Sequence, residues 1–213
     1  MSDPAGGRRI GVLVSGRGSN LQALINAIHG GRLDAAIAVV VSNVAGAPAL
    51  ARARQAGIET LVIPHSGWPS REAFDERIAD ALLTRGVRLV CLAGFMRRLS
   101  AGFLAKFTGP VLNVHPSLLP AFPGTDAPAQ ALAHGVKVAG CTVHLVTAEL
   151  DGGPIVLQAA VPVFPDDSED TLAARILIEE HRLLPAAVAC VLDGHWRLDG
   201  RRFLEVPITA APD

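Results

Sequence analysis

The stretch Arg9-Ile10-Gly11-Val12-Leu13-Val14-Ser15-Gly16-Arg17-Gly18-Ser19-Asn20-Leu21-Gln22-Ala23-Leu24-Ile25 changes its hydrophobic period halfway along. That change decides the fold class. Arg9 to Val14 is a continuous apolar run of the kind that forms a strand covered on both faces. Leu21, Leu24, Ile25 and Ile28 then recur at helical spacing. Between the two lies a glycine loop at the start of a helix, where free amides and the helix dipole favour an anion. The loop is not a dinucleotide fingerprint. Leu21 stands where a third glycine would be, and the second strand, Ile37 to Val41, ends in Ser42-Asn43 without the acid that holds a ribose hydroxyl. A monophosphate held by Gly18, Ser19 and Asn20 is one reading of the loop; an ordinary helix cap at Ser19 or Asn20 is the other.

The alternation continues outward. Pro48 to Gln55 reads as a helix ended near Gly57, Thr60 to Ile63 as a short strand and Leu89 to Ala93 as a fourth strand. Ser70 caps a helix from Arg71 to about Thr84, with Phe74, Ile78, Ala81 and Leu82 on its inner face. Repeated units of this kind predict an α/β fold with a mostly parallel sheet, covered by helices on both faces and joined by right-handed crossovers. Ligands gather beyond the carboxyl ends of such strands. The loop after the first strand, Gly94 to Leu99 after the fourth, and His115 after the fifth should therefore face one cleft. Val138 to Val146 and Ile155 to Val163 fit a long antiparallel hairpin, and their separation also admits parallel pairing. Asp167-Ser168-Glu169-Asp170 gives a negative N-terminus to a long helix reaching about Leu192, with Leu172, Ile176, Leu183 and Leu184 apolar. Residues 121 to 138 hold a short helix from Ala127 to His134 and read either as a flap or as a surface connection.

The chemistry concentrates in Asn113-Val114-His115-Pro116-Ser117-Leu118-Leu119-Pro120 and in Glu149-Leu150-Asp151-Gly152-Gly153-Pro154. Side chains two apart on a strand share a face, which puts the Asn113 amide beside the His115 imidazole. That pair suits acyl transfer, where an oxyanion must be stabilised while a proton moves. Asp151 is the candidate acid to orient the imidazole or keep it charged. Each feature has a plainer reading: a strand-end histidine is commonly structural, and an Asp-Gly-Gly turn is commonly only a turn. Ser117 lacks a Gly-x-Ser-x-Gly elbow and reads as a loop hydrogen-bonder. His144 reads as a buried, hydrogen-bonded histidine or as a cleft residue.

Composition narrows the class. Of 213 residues, 50% are hydrophobic and 18% charged, with a net charge of −1, which excludes disorder and gives no global basic field for nucleic acid. No apolar run approaches the roughly 18 residues of a membrane span, and Met1 to Gly7 lacks the apolar core of a signal peptide. Cys91, Cys141 and Cys190 lie far apart in apolar contexts, as buried thiols of a reducing compartment do. No metal-ligand spacing is present. The expected organisation is a frayed tail over 1–8 and one domain over 9–213. Its half with the candidate phosphate loop spans about 9–100, its half with the catalytic candidates about 101–193, and an irregular or β-like tail 194–213.

Ser15 to Ile25, Leu92-Ala93-Gly94-Phe95-Met96-Arg97, Asn113 to Pro120 and Leu150-Asp151-Gly152-Gly153-Pro154-Ile155 resemble, in order, the motifs of the phosphoribosylglycinamide formyltransferase family. The resemblance covers about residues 9 to 193. It implies a Rossmann-like formyltransferase fold with an antiparallel C-terminal portion, and 10-formyltetrahydrofolate as co-substrate without a metal. By motif match, Gly18, Ser19 and Asn20 hold the phosphate of 5-phosphoribosylglycinamide, and Glu180 contacts its glycinamide or ribose end. Arg71, Met96, Arg97, Arg98, Leu99 and Asn113, with the backbone from Val146 to Leu150, border the folate pocket. Asn113, His115 and Asp151 match the catalytic trio. The resemblance further implies a cytoplasmic monomer or homodimer acting on small molecules, with no nucleic-acid or membrane partner. Thr125-Asp126-Ala127-Pro128 and the segment after Gly194 depart from the family pattern. Among rivals, methionyl-tRNA formyltransferase carries a further C-terminal domain and formyltetrahydrofolate deformylase an N-terminal one; the first strand near residue 9 and the lack of a basic extension favour the ribonucleotide transferase. Sugar-nucleotide formyltransferases and a phosphate- or folate-binding module without turnover are the remaining alternatives.

Overall fold

A computed structural model of the protein describes residues 7–206, so most of the expected N-terminal tail and the end of the C-terminal one lie outside the described residues. The order is β1 (Arg9–Val14), α1 (Ser19–His29), β2 (Ala36–Ser42), α2 (Pro48–Gln55), β3 (Thr60–Val62), α3 (Arg71–Leu83), β4 (Leu89–Leu92), α4 (Ala101–Lys106), β5 (Val111–His115), α5 (Ala127–Ala133), β6 (Val138–Leu145), β7 (Ile155–Pro162), α6 (Glu169–Asp193), β8 (Trp196–Asp199) and β9 (Arg202–Glu205). One nine-stranded sheet runs β3-β2-β1-β4-β5-β6-β7-β9-β8. The first five strands pair in parallel, and β6 pairs antiparallel with both β5 and β7.

Two apolar cores lie on opposite faces. Leu21, Leu24 and Ile25 of α1, Ala49 and Ala53 of α2 and the inner residues of α6 cover one face. Phe74 and Ile78 of α3 and Phe103 of α4 cover the other. β1 contributes Val12 and Val14 to the first core and Leu13 to the second, which is why its sequence is apolar throughout. Each fully buried phenylalanine contributes roughly 1.5–3 kcal/mol, enough to fix helix positions against the sheet. β1 also lies where the strand order reverses, between β2 and β4. The loops leaving β1 and β4 start side by side there, the Ser15 amide donating to the Gly94 carbonyl at 3.0 Å, at the position where such sheets gather ligands.

Four details sharpen or extend the sequence expectation. His115 is the last residue of β5 rather than its first neighbour. The long helix has its N-cap at Ser168, whose hydroxyl and that of Thr171 reciprocally accept each other's backbone N–H. A short helix, α4, follows Ser100, which caps it by accepting from the Phe103 amide. The segment after Gly194 folds back as the β8–β9 pair, with Trp196 stacked on Phe203, and extends the sheet beyond β7.

Candidate active site

The glycine loop is built by backbone. Gly18 caps α1 at φ 74°, a left-handed conformation, and a Cβ there would stand 2.5 Å from the Ala49 Cβ. Only glycine turns the chain here and lets α2 approach. Ser19 and Asn20 are the first helical residues, so the alternative of a side-chain cap at either one is replaced by a glycine cap with no side-chain bond. The amides of Ser19, Asn20 and Leu21 donate to nothing among the described residues and are available to an anion. The Asn20 side chain turns inward and donates to Glu180 Oε2 at 2.7 Å, while its Oδ1 is buried without a partner. Burial pushes the Glu180 carboxyl above its ordinary value, opposed by the Asn20 bond and by the charge of His115. Glu180 thus lies between the glycine loop and His115 of β5.

Asn113 and His115 stand on β5 opposite His144 and Thr142 of β6. The β6–β7 turn returns Asp151 to them. Asp151 itself holds φ 49°, and a Cβ on Gly153 would collide with the Leu145 carbonyl, so the turn is as tight as an aspartate followed by glycines allows. Asp151 Oδ2 lies 3.7 Å from His115 Nδ1, and Oδ1 lies 3.7 Å from His144 Nε2. Both gaps exceed a direct hydrogen bond and suit a bridging water or a small closing shift. Oδ2 also accepts from the Gly124 amide at 2.8 Å, and His115 Nε2 donates to the Phe122 carbonyl at 2.8 Å. The segment read as a flap or a connection is therefore tied to both catalytic candidates at its start.

His144 is the residue that the sequence reading left between core and cleft. It is 2% exposed, and it contacts the trio. Desolvation lowers its pKa, with the Leu145 carbonyl and Asp151 opposing and His115 reinforcing. A neutral His144 that donates Nδ1–H to the Leu145 carbonyl at 3.1 Å must present Nε2 as an acceptor. The Asn113 Nδ2 group, 3.2 Å away, donates to it. One amide hydrogen of Asn113 is thereby fixed and the other left for a ligand oxygen.

The candidate folate wall is held together by a carboxylate that sequence reasoning missed. Asp75 is 0% exposed on α3 and accepts the Ser100 amide at 2.7 Å, while Arg71 lies 3.8 Å from the same oxygen. Arg71 in turn donates to the Arg98 carbonyl, and Arg98 donates to the Ala148 carbonyl at 3.0 Å. Met96 projects into solvent at 74% exposure, whereas Leu99 is buried. Arg97 lies over the Phe74 ring, 5.3 Å from its centroid. The structure thus brings Arg71, Arg98 and Leu99 together with the backbone near Ala148, and turns Arg97 against the α3 face. Asp75 shares the inner stripe of α3 with Ile78 and Leu82, and that placement was its available signal. Ser15 adds a second tie: its hydroxyl accepts the Met96 amide at 2.9 Å and donates to Asn43 at 2.6 Å, linking the loops after β1, β2 and β4. Ser117 donates to the Ala121 carbonyl within its loop. Among the described residues no group of three or more His, Cys, Asp or Glu is placed to hold a metal ion, and no helix is long and apolar enough to cross a membrane.

An amide donor, two imidazoles and an acid, on the same molecule as a helix terminus with free amides, are the groups that acyl transfer calls for. The chain belongs to the formyl transferase family, whose model it matches over residues 8–188. It is 46% identical over 198 residues to the phosphoribosylglycinamide formyltransferase of Escherichia coli (strain K12), covering 90% of this chain and 93% of that protein. It is 48% identical over 189 residues to the trifunctional purine biosynthetic protein adenosine-3 of Drosophila melanogaster, spanning only 14% of that longer protein. The crystal structure of glycinamide ribonucleotide transformylase 1 from Symbiobacterium toebii superposes with a TM-score of 0.93 at 50% identity, covering 97% of this chain and 98% of that one.

Proposed function

We propose that the protein transfers the formyl group of 10-formyltetrahydrofolate to the amine of 5-phosphoribosylglycinamide in purine biosynthesis. The observation that carries this reading is Asp151 with an imidazole facing each carboxylate oxygen and Asn113 bonded to one of those imidazoles. The acceptor phosphate rests on the Gly18, Ser19 and Asn20 amides, and Glu180 takes the acceptor's polar end. The folate lies against Arg71, Arg98, Leu99 and the exposed Met96.

The amine attacks the formyl carbon, and its bond to N10 breaks after a tetrahedral intermediate. The free amide hydrogen of Asn113 stabilises the oxyanion, a contribution of roughly 3 kcal/mol for a well-placed donor. His115 carries the proton released by the attacking amine toward the leaving N10. Asp151 orients His115 and moves protons through water across the 3.7 Å gap. No covalent enzyme intermediate is needed, because holding two substrates in line supplies much of the acceleration.

Purified protein given 10-formyltetrahydrofolate and 5-phosphoribosylglycinamide should release tetrahydrofolate and formylated product in equal amounts, and only when both are present. Formate released without the acceptor would replace this reading with hydrolysis of the donor.

A further inference from the structure

One cavity among the described residues lies away from Asp151. It is a groove of about 460 Å³ between α1, α2 and α6, lined by Ser19, Arg32, Arg52, Ile178, His181 and Arg182 among others. We propose that this groove is a second anion site, which takes the diphosphate group of a small phosphorylated molecule and adjoins the glycine loop through Ser19.

Charge is the first argument. Three guanidinium groups line the groove and no carboxylate does, in a chain whose net charge is −1. The nearby Glu179 pairs only with Arg182, at 2.7 Å. Arg52 is already oriented: its Nε donates to the Arg17 carbonyl at 3.0 Å, and Nη1 reaches Gln22 Oε1 at 3.4 Å. A guanidinium fixed at one edge presents the rest of its fork to phosphate oxygens at little entropic cost. Arg32 makes no side-chain hydrogen bond or ion pair among the described residues.

The second argument is an unmet polar atom. His181 Nε2 is buried and has no hydrogen-bond partner, and such an atom is stabilised by a ligand oxygen placed against it. Size is the third. The cavity has the volume of about 15 water molecules at ~30 Å³ each, more than a single phosphate fills. Ile178, 68% exposed, and Ala23 form an apolar wall for the organic part of the ligand.

The test uses inorganic pyrophosphate and inorganic phosphate as probes, with isothermal titration calorimetry on the full chain. The tightest pyrophosphate site should bind at least tenfold more tightly than the tightest phosphate site, with any occupancy of the glycine loop appearing as a separate, weaker event. The double variant Arg32→Gln, Arg182→Gln, whose side chains lie outside the proposed formyl-transfer machinery, should lose at least tenfold in pyrophosphate affinity while the turnover rate stays within twofold. Pyrophosphate binding no tighter than phosphate would overturn the proposal, as would a double variant that retains pyrophosphate affinity. Binding is read without the formyl donor, so its failure is separable from failure of the transferase reading.

Discussion

The glycine loop and the Asp151 cluster solve opposite problems. The loop offers an anion three backbone amides and depends on what is missing, a side chain at position 18. The cluster offers functional groups held by side-chain contacts across β5, β6 and their turn. A site made of backbone should fail when an atom is added. A site made of side chains should fail when chemistry changes at constant shape.

Among effects on substrate binding, the largest is expected at Gly18. An alanine there places its Cβ 2.5 Å from that of Ala49 and must hold a left-handed φ of 74°, which costs roughly 1–2 kcal/mol before the clash is counted. Gly18→Ala should raise the Michaelis constant of the phosphorylated acceptor by at least about tenfold, equivalent to ~1.4 kcal/mol, and lower the melting temperature. Ser19→Gly removes a side chain but no amide and should change that constant by less than threefold. Steady-state kinetics against acceptor concentration checks the contrast; equal effects at both positions would show that the loop is not a backbone site.

A smaller effect is expected at Asp75, which works through Arg71 and the Ser100 amide. Asp75→Asn keeps an acceptor for Ser100 and removes the charge facing Arg71. It should raise the Michaelis constant of the folate donor severalfold and leave that of the acceptor unchanged. Parallel titration of the two substrates separates a folate-wall role from a general loss of stability.

The mildest effect concerns pH. Burial lowers the pKa of His144 and of His181, so the unfolded chain binds their protons more readily than the folded one. Stability should therefore fall as pH drops below the ordinary imidazole value of about 6.5, and the loss should level off below the folded values. His144→Gln should flatten that slope in urea denaturation followed across pH. An unchanged slope would remove His144 from the buried, neutral role that orients Asn113.

The loop and the cluster were also unequally legible in the sequence. The shift from strand to helix period at Arg9 to Ile25 and the two strands flanking Asp151 are carried by local patterning, and the structure follows them closely. The glycine cap was harder to read, because Ser19 and Asn20 are themselves favoured capping residues and only the close approach of Ala49 selects Gly18. α4 spans six residues, too few to display a period. The role of His144 depends on the β5–β6 register, which sets it opposite Asn113. That register is a long-range property that local sequence does not encode.

Asp151→Asn tests the account most directly, since it preserves shape and removes only charge and proton capacity. With the dissociation constants of both substrates measured by equilibrium binding and the transfer step by single-turnover kinetics, the account expects the rate to fall by roughly 10²–10⁴. Both dissociation constants should stay within about twofold. A transfer rate close to that of the unaltered protein, with weakened binding of either substrate, would contradict it.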